Sequence, residues 1–213
     1  MGFPLSIEGF SSAESKVLSS RFIALLSPCE DEASFAAFLQ KARKDYPKAA
    51  NYCYAFRTKG FEGFSDDGEP PRSVGLPFLN LLREKGLRRV CLVAIRYFGG
   101  TKLGLGRLKR VYLGVAEASI AKASLLEIVP ACRLRLESPY DSYMKVRSEA
   151  LSRGYSFTDE VFSSSVKFSL LLDARLVGSF AEALPPEVSV VGKDDGWEIL
   201  RRAEHDTQRR IRE

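Results

Sequence analysis

Apolar positions along the chain recur at two spacings, and the switches between them mark out two blocks. In the first block Arg21–Leu26 reads as a strand. From Glu30 to Lys44, Phe35, Phe38, Leu39 and Ala42 fall on one face at helical spacing, which predicts a helix. Glu30, Asp31 and Glu32 open that helix, Lys41, Arg43 and Lys44 close it, and Pro47 lies just beyond, as the helix dipole prefers. Asn51–Thr58 follows as a strand rich in aromatic residues, Ser65–Arg72 as a loop of turn formers, and Val74–Arg83 as a helix burying Val74, Phe78, Leu81 and Leu82. Val90–Phe98 is almost continuously apolar, the mark of a strand covered on both faces. A glycine-rich loop leads from it into a helix predicted from about Arg107 to Ala123, with Leu108, Val111, Tyr112, Val115 and Ala118 on one side.

Pro130 reads as a boundary, and the second block then runs β-α-β-β-α-β. Ala131–Leu136 is a strand, and Ser138–Pro139 starts a helix with proline at its first position. Tyr155–Phe162 and Val166–Leu172 alternate and join across Ser163–Ser165 as a hairpin. Ala174–Leu184 is a helix stopped by Pro185–Pro186, Glu187–Val191 a last strand, and Trp197–Leu200 one more short one. The expected fold is α/β (α+β), with a domain over 1–129, a ferredoxin-like domain over 130–204 and a polar tail over 205–213.

Length and composition fit one large packed domain or two small ones: the chain has 213 residues, of which 45% are hydrophobic and 28% charged. Met1–Phe10 has no basic leader pattern, and no apolar run approaches the ~20 residues of a membrane span. A cytoplasmic protein with no membrane partner is expected. Cys29, Cys53, Cys91 and Cys132 are scattered without a paired spacing, so they read as reduced, buried thiols with no metal and no other cofactor. His205, the one histidine, stands in the polar tail, which removes nucleophile–imidazole chemistry and leaves no catalytic residue to name.

The net charge of +5 is unevenly spread. Residues 83–110 alone carry +8, so the rest of the chain sums to −3. Within that segment Arg96–Tyr112 reads RYFGGTKLGLGRLKRVY, a strand, a loop and a helix start. It is neither a Walker loop nor a dinucleotide fingerprint, since Leu105 and Lys109 stand where those motifs need Lys and Gly. Its geometry nonetheless suits an anion held by backbone amides. Arg107, Lys109 and Arg110 are expected in the first helical turn, where each cation opposes the dipole by about 0.3–1 kcal/mol unless an anion docks there. The candidate anion or nucleic-acid site is therefore Arg96, Gly99, Gly100, Lys102, Gly104, Gly106, Arg107, Lys109 and Arg110, with Tyr97 or Phe98 as a stacking surface. The loop SDDGEPP (Ser65–Pro71) is a structural turn first and a candidate site second, through Asp66, Asp67 and Glu69.

SDDGEPPRSVGLP (Ser65–Pro77), VAIRYFGGTKLGLGRLKRVY (Val93–Tyr112) and NYCYAF (Asn51–Phe56) together closely resemble the motifs of the IMPACT/YigZ family, approximately HxCYAY, SDDGEPSGTAGRP and VVVTRYFGGxKLGxGGLxRAY. The resemblance implies an N-terminal domain like domain IV of elongation factor G and related ribosomal proteins, and a ferredoxin-like C-terminal domain. It also implies a link to translation, because eukaryotic members restrain a starvation-responsive initiation-factor kinase. Asn51 replaces the usual His, Arg107 replaces a Gly, and Pro71–Val74 replaces a small SGTA stretch, a change expected to alter the acidic loop.

Three functions follow as expectations. The first is a non-catalytic RNA- or ribosome-binding protein acting in translation control. The second is an enzyme on a small phosphorylated ligand, with the glycine loop holding the anion and the acidic loop supplying acid, base or metal ligand. The third is an adaptor docking a protein partner in translation.

Overall fold

The computed structural model describes residues 3–203, and the expectations for His205 and the tail 205–213 fall outside the described residues. Contacts divide the chain into two compact units, 3–127 with 202–203, and 128–201. Among the described residues no helix is long and apolar enough to cross a membrane.

The first unit contains strands β1 (Leu5–Glu8), β2 (Ser11–Val17) and β3 (Ser20–Pro28), helix α1 (Glu32–Asp45), strands β4 (Asn51–Arg57) and β5 (Glu62–Ser65), helix α2 (Gly75–Glu84), strand β6 (Val90–Tyr97) and helix α3 (Leu105–Lys122). An antiparallel sheet of order β2-β3-β6-β4-β5 is covered on both faces. Phe22, Ala24 and Leu26 of β3 and Leu92 and Ala94 of β6 face Phe78, Leu82, Leu108 and Tyr112 of α2 and α3. Ile23, Leu25, Val93 and Ile95 point the other way, onto Phe38, Leu39 and Ala42 of α1. Double coverage is why β6 is buried from Val90 to Arg96 and lacks polar alternation. The same alternation carries Arg96 to the α3 side and Tyr97 to the α1 side, and it is what draws an arginine into the interior.

Each of the first two helices begins on a carboxylate. Asp31 caps α1 in a reciprocal pair with Ser34, accepting the Ser34 amide at 2.8 Å. Asp66 accepts the Val74 and Gly75 amides at the start of α2, both at 2.8 Å. α3 begins differently, with Gly104 at φ +73° as N-cap, no side-chain cap and no acid in the first turn. It starts two residues before the expected position. Arg107 is therefore in the first turn, and Lys109 and Arg110, expected there too, belong to the second.

The second unit takes strand β7 (Ser124–Ser138) from residue 128 onward, helix α4 (Tyr140–Ser152), strands β8 (Ser156–Phe162) and β9 (Val166–Asp173), a single 3₁₀ turn at Ala174–Leu176, helix α5 (Val177–Glu182) and strand β10 (Ser189–Arg202). Its strand order, β10-β7-β9-β8, is the ferredoxin-like arrangement. Tyr143, Val146 and Phe180 of the helices pack on Leu134, Leu136, Phe168 and Leu170 of the sheet. The β8–β9 hairpin closes with the Ser163 amide donating to the Ser165 carbonyl at 2.9 Å.

Several expectations need correcting. Strands β1, β2 and β5 were not foreseen. Pro130 lies inside β7, just past the division between the units, between Ser124–Glu127, which pair with β1, and Ala131–Ser138, which pair with β9. Its missing N–H falls outside both of those registers. Pro139 is the N-cap of α4 rather than its first residue. The two strands expected near the end are one, β10, with Gly196 at φ +86° inside it.

Candidate functional site

The two loops singled out in the sequence meet on the α3 side of the first sheet. Asn51 of β4 and Arg96 of β6 are directly paired across the ladder, and Phe22 of β3 lies opposite Arg96 on the other flank. The acidic loop folds over this end of the sheet and supplies the arginine's counter-charge. Arg96 Nη1 donates to Glu69 Oε1 at 2.6 Å, with the two side chains 8% and 6% exposed. Tyr112 of α3 donates its hydroxyl to the same oxygen at 2.9 Å. The guanidinium also lies 5.4 Å from the Phe22 ring centroid and 5.1 Å from that of Phe98. Its Nε is buried without a hydrogen-bond partner among the described residues.

The other two acids of the loop are anchors. Besides the two α2 amides, Asp66 accepts the Arg72 amide at 2.7 Å. Asp67 accepts the Tyr52 amide at 2.7 Å and Arg43 Nη2 at 3.2 Å. Asn51 Nδ2 donates to the Asp67 carbonyl at 2.8 Å, so the residue that replaces the family's histidine braces this loop. The Cys53 thiol donates to the Asp66 carbonyl at 2.9 Å. Burial pushes the Cys53 thiol and the Tyr112 hydroxyl well above their ordinary values, so both are neutral donors at physiological pH. All four cysteines are free and buried. No group of three or more His, Cys, Asp or Glu is placed to hold a metal ion among the described residues. The carboxylates of the acidic loop are spent on main-chain amides, an arginine pair and a buried phenol.

The glycines divide by job. A Cβ on Gly99 would stand 2.0 Å from the Ser19 carbonyl carbon, so close packing of two chain segments requires glycine there. Gly100 and Gly104 have positive φ, while a Cβ on Gly106 would meet nothing within 4 Å. Arg96, Lys102 and Gly104 line a cleft of about 550 Å³ with Asn51, Glu69 and Phe98. Gly99, Gly100, Gly106, Arg107, Lys109 and Arg110 are not part of its lining.

Lys102, Arg107, Lys109 and Arg110 are exposed and enter no ion pair among the described residues. Arg107 and Arg110, three residues apart, share one side of α3. Several acids elsewhere in the unit are paired with arginines, as Glu14 is to Arg21 and Glu62 is to Arg57 and Arg83. The start of α3 is left with uncompensated positive charge.

Sequence reasoning missed Tyr112 as the second partner of Glu69 and Leu105 in the cleft wall. Helical periodicity places Tyr112 on a buried face, but no local signal names an acceptor 43 residues away. Of the two stacking candidates, Tyr97 is turned to the α1 side, its hydroxyl donating to the Pro47 carbonyl at 3.2 Å, whereas Phe98 is 48% exposed beside the cleft.

Residues 18–120 match the model of the Impact N-terminal domain. A protein of Thermus thermophilus described as an IMPACT family member in the pol 5' region is 35% identical over 153 residues, 72% of this chain and 84% of that one. The IMPACT family member YvyE of Bacillus subtilis is 29% identical over 171 residues, 76% of each chain. Among solved structures, a hypothetical protein superposes over 96% of this chain and 99% of its own, with a TM-score of 0.64 at 24% identity, a likeness of fold.

Proposed function

The chain belongs to the IMPACT family, and from that premise we propose that its first unit binds the phosphate backbone of RNA, free or in the ribosome, through the cationic start of α3. The observation that carries the reading is the set of exposed, unpaired cations Lys102, Arg107, Lys109 and Arg110 around a helix N-terminus with no cap and no acid. A fold that caps α1 and α2 with carboxylates leaves a third helix start positive, and a docked polyanion would complete it. The translational setting follows from the motif resemblance. The binding reading is favoured over acid–base chemistry because Asp66, Asp67 and Glu69 already hold protein donors.

Fluorescence anisotropy with labelled RNA and ribosomal subunits across a salt series tests the proposal. Four phosphate contacts on a single strand give a log–log slope of about −3, or roughly a fifty-fold loss of affinity from about 50 to about 200 mM salt. Arg107→Glu/Arg110→Glu should flatten the slope by about 1.4 and weaken binding at every salt concentration. Absence of binding at low salt, or binding indifferent to salt, would refute the proposal, the latter pointing to a protein-docking surface.

A further inference from the structure

The exposed cations do not account for the cleft beside them. It is enclosed by Asn51, Glu69, Arg96, Phe98, Lys102 and Leu105 and measures about 550 Å³, within the range of pockets that hold one small ligand. One side is the start of α3. The first intrahelical bond runs from the Leu108 amide to the Gly104 carbonyl at 3.0 Å, so the amides of residues 105–107 lie ahead of the helical ladder, and no side chain caps them. Of this turn, Gly104, Leu105 and Leu108 line the cleft.

Arg96 points to the same place independently. Only Nη1 of its guanidinium has a protein acceptor among the described residues, and Nε, buried, has none. Its side chain is 92% buried by the 8% exposure of the pair, yet it lines the cleft. Nε is sealed from the cleft, so Nη2, which is not among the sealed atoms, is the donor left for an acceptor in it. Glu69 cancels one unit of its charge, so the cleft retains Lys102 and the positive end of the helix, suited to one phosphate group. Phe98 supplies the third element, a half-exposed ring against the Arg96 guanidinium at the cleft wall. Ring, guanidinium and amides together match a base and the phosphate attached to it.

We infer that this cleft seats a single nucleotide, its phosphate on the start of α3, Arg96 and Lys102, and its base on Phe98. The inference deepens the RNA-binding proposal and rests on it for the strand to which that nucleotide belongs, with flanking phosphates on Arg107 and Arg110.

Amide NMR of the full chain, titrated with adenosine monophosphate, adenosine and inorganic phosphate, tests it beside RNA binding by anisotropy. Adenosine monophosphate should shift the amides of Leu105, Gly106 and Arg107 saturably in the millimolar range. Inorganic phosphate should shift the same amides more weakly, and adenosine should leave them unchanged. Phe98→Ala, at a half-exposed position, should weaken adenosine monophosphate roughly 5- to 150-fold and leave inorganic phosphate unaffected. Steep salt-dependent RNA binding with those amides unmoved by the nucleotide would overturn the cleft and spare the RNA-binding proposal. Nucleotide binding at those amides without any RNA binding would uphold the cleft and overturn the RNA-binding proposal. Equal affinity for nucleotide and phosphate, unchanged in Phe98→Ala, would remove the base from the inference and so refute it.

Discussion

Replacing Glu69 with alanine isolates the polar centre of the first unit. The carboxylate takes a 2.6 Å bond from Arg96 and a 2.9 Å bond from Tyr112, with both members of the ion pair more than nine-tenths buried. Its removal strands a guanidinium under α3 and a phenol whose remaining neighbour is the Cys53 sulfur at 3.8 Å. Breaking a buried pair from one side costs about 3–5 kcal/mol, because the surviving charge keeps its desolvation penalty and loses its compensation. Exchanging both partners, Glu69→Leu with Arg96→Met, removes that penalty and should recover most of the loss. Urea-dependent hydrogen exchange at the amides of Leu92–Ile95, in the middle of β6, reads the stability of this unit. Protection should fall by about 3–5 kcal/mol in Glu69→Ala and return to within about 1–2 kcal/mol of the native chain in the double variant. A loss below about 1 kcal/mol in the single variant would refute the account, since it is the value of a solvated surface pair.

Gly99→Ala should cost about 1–3 kcal/mol, because its new methyl must displace the Ser19 backbone, whereas Gly114→Ala should gain about 0.5–1 kcal/mol in the open middle of α3; urea titration separates the two signs. Arg72 holds φ +59° at a position where the family motif has glycine, so Arg72→Gly should raise the melting temperature by relieving up to about 1–2 kcal/mol of left-handed strain. Hydrogen bonds from Arg175 hold the Asp173 carboxyl below its usual value, so its contribution is present above the unfolded pKa and lost as pH falls through the folded one. The native chain should therefore lose more stability than Asp173→Asn on going from pH 5 to pH 3, and parallel urea midpoints for the two would refute this.

Elements with a clean period were legible. The α1 helix shows its apolar face and both charged ends in the sequence, and β6 shows the unbroken apolar run of a strand covered twice. The Ser163–Ser165 turn between two alternating segments gave the hairpin that orders the second sheet. What escaped were edges. β2 reads SSAESKV because it is half-exposed beside a single neighbour, and β5 is four residues long at the other margin. The start of α3 was misplaced because it depends on the left-handed conformation of Gly104, which the residue's identity permits but does not announce. In the site, the glycine loop and acidic loop were each visible as motifs. Their meeting was not, because it depends on the Asn51–Arg96 register and on a tyrosine two turns into a helix.

The Asp66 carboxylate reaches three main-chain amides and, among the described residues, no side chain. Every amino acid but proline offers that same amide, so the Asp66 bonds by themselves ask only that positions 72 and 74 are not proline, whereas Arg72 gives its amide at a strained φ of +59° and Gly75 must stay glycine, because a Cβ there would meet the Ser65 carbonyl oxygen at 2.7 Å. Pro71-Arg72-Ser73-Val74, where the family motif reads SGTA, keeps those bonds because its proline falls at one of the two positions among the four preceding α2, 71 and 73, whose amides Asp66 does not take. The side chains of positions 72 and 74 are thereby released from the bond that closes the loop, and they answer only to backbone strain and local packing.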